Sequence, residues 1–166
     1  LDVAVPGLVP GVVHVDEDWL VLEWVEQAEA APTAAATLGR MLAHLHAAPT
    51  GDFGDGSPQG RIGHLPMPAG TFDTWAPMYA ELRLRPLVDE GMPNCAALVE
   101  ALLEEPEWAG PPEPPSLLHG DLWSGNILWA HHPRVIDPAS HVGHRETDLA
   151  MLALFGTPHL DRILAA

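Results

Sequence analysis

The sequence predicts an α+β fold, on three observations. Two β-branched runs flank a polar turn near the start of the chain, a middle stretch carries apolar residues at helical spacing, and a turn-rich segment reads as a hairpin. In chain order, Val12–Val15 and Trp19–Val25 read as strands joined at Asp16-Glu17-Asp18. The second strand exits through Glu26 and Gln27 into an alanine-rich segment. Thr33 is expected to cap a helix in which Leu38, Met41, Leu42 and Leu45 follow helical spacing. Residues 49–70, rich in Gly and Pro, read as a long loop. A second helix is expected after Thr71, with Trp75, Met78 and Leu82 on one face and an end near Pro86. A third starts after Pro93 and runs through Leu98, Leu102 and Leu103. Pro106–Pro115 reads as a stiff linker. A helix over Glu146–Phe155 follows, and His159–Ala166 begins another. No internal repeat is visible.

The stretch from Leu117 to Ala139, LLHGDLWSGNILWAHHPRVIDPA, carries the chemistry. A turn centred on His131 and His132 pairs Ala130 with Pro133, Leu128 with Val135, Ile127 with Ile136 and Asn126 with Asp137. In such a hairpin Asn126 and Asp137 are directly opposed, with side chains on one face and Cβ atoms roughly 4.5–5.5 Å apart. An amide oxygen and a carboxylate at that distance suit one hard cation such as Mg²⁺. Asp121, on the loop entering the hairpin, is placed to accept a proton from a substrate hydroxyl. The pattern predicts a phosphotransferase site.

Each assignment has a plainer rival. Asp121 alone reads as an Asx-turn aspartate, but the company of Asn126 and Asp137 favours a catalytic role. His119 reads better as a structural residue holding the loop than as a chemical group. Trp123 divides evenly between core packing and an exposed face for a sugar or amine substrate. Ser124 and Gly125 serve the turn. Asp148, by charge pattern, is an acidic residue in the first turn of a helix. His44 and His46 are two apart on a predicted helix and so cannot easily share a metal, and His131 and His132 read as solvated. No His pair has the i, i+4 spacing with a glutamate seen in zinc hydrolases, which leaves a metallohydrolase a distant alternative.

The order His119-Gly120-Asp121, then Asn126, then Asp137 resembles the catalytic-loop and metal-aspartate pattern of kinases. Gly120 replaces the arginine of protein kinases, and Pro138-Ala139 replaces Phe-Gly. Both departures resemble the small-molecule branch that includes the aminoglycoside phosphotransferases. More narrowly, HGDLWSGN at 119–126 followed by IDPASHVGHRETDLAMLALFG at 136–156 is similar to the fructosamine kinase (ketosamine kinase) family. Weaker echoes are LVLEWVE at 20–26, LGRMLAHLH at 38–46, Phe53-Gly54, Ile62-Gly63, and Trp75 followed by ELRLRPL at 81–87.

The resemblance implies a mostly helical C-terminal lobe of a protein-kinase-like fold over 27–166, with a catalytic β-hairpin. Residues 1–26 would be the end of the N-terminal-lobe sheet and the hinge strand. It implies ATP and Mg²⁺ as cofactors, Asp121 as base, Asn126 and Asp137 as metal ligands, and the Glu23 carbonyl and Val25 amide as the adenine edge. Asp148 would steady the catalytic loop. The implied reaction moves the ATP γ-phosphate to a sugar hydroxyl of a ketosamine, free or on a glycated protein, in the service of deglycation. An aminoglycoside-type substrate is the nearest alternative, and a nucleotide- or partner-binding chain without turnover is the alternative from another class.

Composition narrows the setting. Against 23 acidic residues the chain has 7 basic ones, for a net charge of −16, which disfavours nucleic acid and anionic membranes as partners. Cys95 is the only cysteine, so no intrachain disulfide is possible and a reducing, cytoplasmic setting is expected. No apolar run is long enough to span a bilayer. There is no lysine, although a kinase holds the ATP phosphates through an N-terminal-lobe lysine, and no Gly-rich phosphate loop precedes the first strand. With a start at Leu1 inside a β-region, the expectation is a fragment of a longer protein.

Overall fold

The first β-run ends where Asp16 turns the chain. Its Oδ1 accepts the backbone N–H groups of Asp18 at 2.9 Å and Trp19 at 2.8 Å. With the His14 ring 3.1 Å from Oδ2, these bonds, that from Asp18 foremost, hold its carboxyl below the usual value. The turn lets β1 (Val12–Val15) pair antiparallel with β2 (Leu20–Leu22), with a register irregularity between Val12 and His14. β2 stops at Leu22 rather than running to Val25. The Glu23 N–H still reaches the Gly11 carbonyl at 2.7 Å. The Gly11 N–H turns to the Glu23 carboxylate at 3.4 Å instead of the Glu23 carbonyl, so the reciprocal ladder bond is not made.

The computed structural model describes residues 1–57 and 60–166. After β2 come α1 (Pro32–His46), β3 (Arg61–Ile62), β4 (Leu65–Pro66), α2 (Trp75–Tyr79), a π-helical stretch over Ala80–Leu84 and α3 (Arg85–Asp89). Then follow α4 (Cys95–Glu104), a 3₁₀ turn over Pro106–Ala109, β5 (Ser116–Leu118) and a 3₁₀ turn over Ser124–Asn126. The chain closes with β6 (Ile127–Leu128), β7 (Arg134–Val135), β8 (His141–Gly143), α5 (Glu146–Leu154) and α6 (Leu160–Leu164). The fold is thus a mixed α+β one with small two-stranded sheets. It divides into two compact units, one formed by Leu1–Ala48, Asp121–Pro138 and Asp148–Ala166, the other by Pro49–Gly120 and Ala139–Thr147. No helix among the described residues is long and apolar enough to cross a membrane.

In the first unit, α1 starts two residues earlier than a cap at Thr33 would place it. Ala31 is the cap and Pro32 opens the helix, where its missing N–H costs nothing. Leu38, Leu42 and Leu45 are almost wholly buried, whereas Met41 is only partly so. Full burial of each such leucine is worth roughly 1.5–3 kcal/mol. α1 packs against α6, whose Ile163 is buried. α5 ends at Leu154 and α6 starts at Leu160, so both are a little shorter than the sequence suggests.

The β6–β7 hairpin also lies in this unit, and its register corrects the expected one. Ile127 pairs with Val135 and Leu128 with Arg134. The Ile136 N–H bonds the Asn126 carbonyl at 3.0 Å, so Asn126 faces Ile136 rather than Asp137. The cause is Pro133. A two-residue turn would close with the Pro133 N–H on the Ala130 carbonyl, and proline has no N–H. The connection therefore widens to span Trp129–Pro133. The Trp129 carbonyl accepts the Ala28 N–H at 2.8 Å, and the Val135 N–H bonds the Leu8 carbonyl at 2.8 Å.

In the second unit, α2, the π-helical stretch and α3 run on as one helix past the expected stop at Pro86. The Arg85 N–H bonds the Ala80 carbonyl, a π-type turn. That wider turn accommodates the proline, which would clash with an i−4 carbonyl in a regular α-helix. Ala76, Ala80 and Leu84 of this helix pack with Val99 and Leu102 of α4. Leu98 and Leu103 face solvent. Burial pushes the Arg83 guanidinium down to about 10.

β5 and β8 pair antiparallel, Ser116 with Gly143 and Leu118 with His141, a ladder that the sequence does not announce. The 49–70 stretch is more ordered than a plain loop. Bridges join Phe53 to Phe72 and Gly56 to His141, and β3 and β4 form a short hairpin. Pro58 and Gln59 of that stretch lie outside the described residues. The linker over Pro106–Pro115 begins with the 3₁₀ turn.

Candidate functional site

Asp121, Trp123, Asn126 and Asp137 all belong to the first unit, as do Glu23, Val25 and Asp148; His119 belongs to the second. The loop that carries them is built from its own hydrogen bonds. The Trp123 N–H bonds the Asp121 carbonyl at 3.2 Å, and the Asn126 N–H bonds the Trp123 carbonyl at 3.0 Å. Asn126 is buried, and its Nδ2 donates to the Asp121 main-chain carbonyl at 2.8 Å. The same Nδ2 lies 3.3 Å from the Asp121 carboxylate. The asparagine therefore orients the aspartate five residues before it.

With Nδ2 spent on Asp121, the atom Asn126 has left for a cation is its amide oxygen. Asp137 is exposed, at the end of β7, and takes a left-handed backbone, φ 53°. Aspartate tolerates that conformation better than most side chains. It turns the chain immediately after the ladder, so the pleat of β7 does not set where Asp137 points. An amide oxygen and a carboxylate are the hard oxygen donors that suit Mg²⁺. Among the described residues no group of three His, Cys, Asp or Glu side chains is placed to hold a metal.

Gly120, where protein kinases have arginine, has a structural reason. Its φ is 84°, and a Cβ there would lie 2.1 Å from the Ala139 carbonyl oxygen. No side chain fits that position without moving the backbone. His119, beside it, is fully buried.

Trp123 keeps 40% of its surface exposed. Its indole folds over Gly125, where a Cβ would come within 2.3 Å of the ring. Its edge meets Phe155 with ring centroids 6.2 Å apart, and Phe155 is itself exposed. Core packing is therefore not what the tryptophan does. Gly125, read from sequence as a turn residue, also makes room for this ring.

Glu23 and Val25 follow the end of β2. Among the described residues neither the Glu23 carbonyl nor the Val25 amide has a hydrogen-bond partner. Asp148, in the first turn of α5, is completely buried, with the His46 Nε2 3.0 Å from its Oδ2. A buried carboxylate needs such a partner. The sequence reading missed His46, because a separation of 102 residues leaves no local signal.

Comparison with known proteins places the chain in one family. The family profile described as fructosamine kinase matches residues 2–161. A probable ketoamine kinase of Thermus thermophilus is 37% identical over 152 residues, which cover 89% of this chain and 55% of that protein. A ketosamine-3-kinase of Mus musculus is 37% identical over 102 residues, 57% of this chain and 33% of that one. The crystal structure of a fructosamine-3-kinase candidate from Thermobifida fusca superposes with a TM-score of 0.82 at 44% identity, over 95% of this chain and 57% of that one. A choline/ethanolamine kinase family protein from Mesorhizobium loti shares the fold alone, with a TM-score of 0.54 at 16% identity over 95% of this chain and 56% of that one. The chain spans about half the length of the curated relatives it matches. A match running from residue 2 to 161, through the HGDLWSGN loop and the hairpin, assigns this chain to the fructosamine kinase family.

Proposed function

We propose that this chain carries the catalytic part of an ATP-dependent phosphotransferase acting on a sugar hydroxyl of ketosamines. In this reading, 1–26 is the end of an N-terminal lobe with its hinge, and 27–166 belongs to the C-terminal lobe. The observation that carries it is the Asn126–Asp121 bond within the fructosamine-kinase loop. Asp121 orients the attacking hydroxyl and receives its proton as the phosphoryl group transfers. Asn126 holds that carboxylate in place. The Asn126 amide oxygen and the Asp137 carboxylate would hold Mg²⁺, which neutralises charge on the transferring phosphate. The backbone groups of Glu23 and Val25 take the adenine edge. The exposed Trp123 face offers a surface to the sugar or its amine, by stacking or cation–π contact. His119 and Asp148 support the loop from buried positions. The names of the relatives, ketoamine and ketosamine kinase, support the substrate class.

The test is an ATP-dependent kinase assay of the full-length protein containing this chain, against ribulosamines, fructosamines and aminoglycosides. Phosphorylation of a ketosamine is expected. Turnover confined to aminoglycosides would replace this substrate assignment.

A further inference from the structure

The second unit contains a cavity of about 430 Å³ that involves none of the residues assigned above to catalysis, metal or adenine. That volume lies in the range of small-molecule sites. Its ring-bearing walls are Phe53, Trp75 and His144. The His144 ring meets Trp75 edge-on with centroids 5.4 Å apart, and the indole is also stacked on Tyr79 at 4.7 Å. These contacts fix the indole. The His144 Nδ1 accepts the Glu146 N–H at 3.2 Å.

Charge in this pocket has one sign. Asp73, Glu107 and Glu113 line it. Glu113 is taken, since the Arg145 Nε and Nη2 hold its carboxylate at 2.7 and 2.8 Å. That bidentate pair engages the Nε–Nη2 edge of Arg145 and offsets the Glu113 charge. Among the described residues Asp73 and Glu107 have no ion-pair partner. An anion entering here would meet two unpaired carboxylates on a chain of net charge −16. A cation would meet those carboxylates and an aromatic wall, the two features that recognise ammonium groups.

We propose that this pocket binds an organic ammonium ion carried on an apolar or aromatic body. The rings and the prolines that line the cavity take the body, and Asp73 and Glu107 take the charge. The site is independent of the phosphotransferase reading, because no assigned residue of that site contributes to it.

Three probes of one shape and different charge test it: phenethylammonium, neutral 2-phenylethanol and anionic phenylacetate. Each is titrated into the ¹⁵N-labelled 166-residue chain, with the Trp75 indole N–H signal assigned through Trp75→Phe. Phenethylammonium should shift that signal saturably, 2-phenylethanol should bind about tenfold or more weakly, and phenylacetate should not bind. Asp73→Asn combined with Glu107→Gln should erase the preference for the cation while leaving the weak binding of the alcohol. Both residues are exposed, so the fold should survive the change. Equal affinity for the three probes, saturation that leaves the Trp75 signal unmoved, or no saturable binding of phenethylammonium would each overturn the proposal. The charge series on the unaltered chain decides this whatever the double variant does.

Discussion

The Asn126 Nδ2 donates to the main-chain carbonyl of Asp121 at 2.8 Å and lies 3.3 Å from its carboxylate. One amide thus ties down the residue proposed as base. Asn126→Ala removes the tie and leaves the Asp121 carbonyl with the Trp123 N–H as its backbone donor, so the chain should lose about 0.5–1.5 kcal/mol of stability. Chemical denaturation measures this, and a change near zero would show that the tie is not structural.

Asp137 is exposed and makes no ladder contact, so its replacement by alanine should cost little in stability beyond the strain of φ 53°. In the full-length protein, Asp137→Ala should instead abolish the Mg²⁺-dependent part of ATP binding. Calorimetric titration of ATP with Mg²⁺ and with EDTA compares the two. Retained Mg²⁺ dependence in the variant would remove Asp137 from the metal site.

Gly120→Ala should be among the most damaging single-methyl additions. The position combines φ 84° with a carbonyl oxygen 2.1 Å from the added Cβ. Left-handed strain and overpacking of this kind each cost about 1–3 kcal/mol. Thermal unfolding should show the loss, while Gly63→Ala, at φ 57° with nothing within 4 Å, should show strain alone.

How far the sequence carried depends on whether a signal is local. The Asp16 turn and the apolar spacing of Leu38, Leu42 and Leu45 are short-range patterns, and β1, β2 and α1 follow them. The hairpin was legible as an element but not in register, because Pro133 forbids the tight turn that symmetric counting assumes. The end of the second helix failed for a related reason: the π turn before Pro86 absorbs what would otherwise break it. β5 with β8, and His46 with Asp148, join segments far apart in the chain, and nothing near either partner announces the other. In the loop, residue order carried the family resemblance but not the Asn126–Asp121 bond. The reason for Gly120, and the room Gly125 makes for Trp123, needed coordinates.

The 166-residue chain alone should show no measurable kinase activity. It contains no lysine, and its charge of −16 opposes a polyanion. Losing one charge-assisted contact to phosphate costs roughly 1.5–3 kcal/mol. Several lost together weaken ATP binding at least ~100-fold relative to the full-length protein, since each ~1.4 kcal/mol is tenfold. Turnover by the purified chain that disappears with Asp121→Asn would contradict this.

The most direct measurement is the steady-state kinetics of Asp121→Asn in the full-length protein with a ketosamine acceptor, alongside its nucleotide affinity. General-base loss predicts a fall in kcat of about 10²–10⁴-fold, with ATP affinity little changed because Asp121 acts in transfer rather than in binding. Near-normal turnover in the variant would show that Asp121 is not the base and that the HGDLWSGN loop does not act as described here.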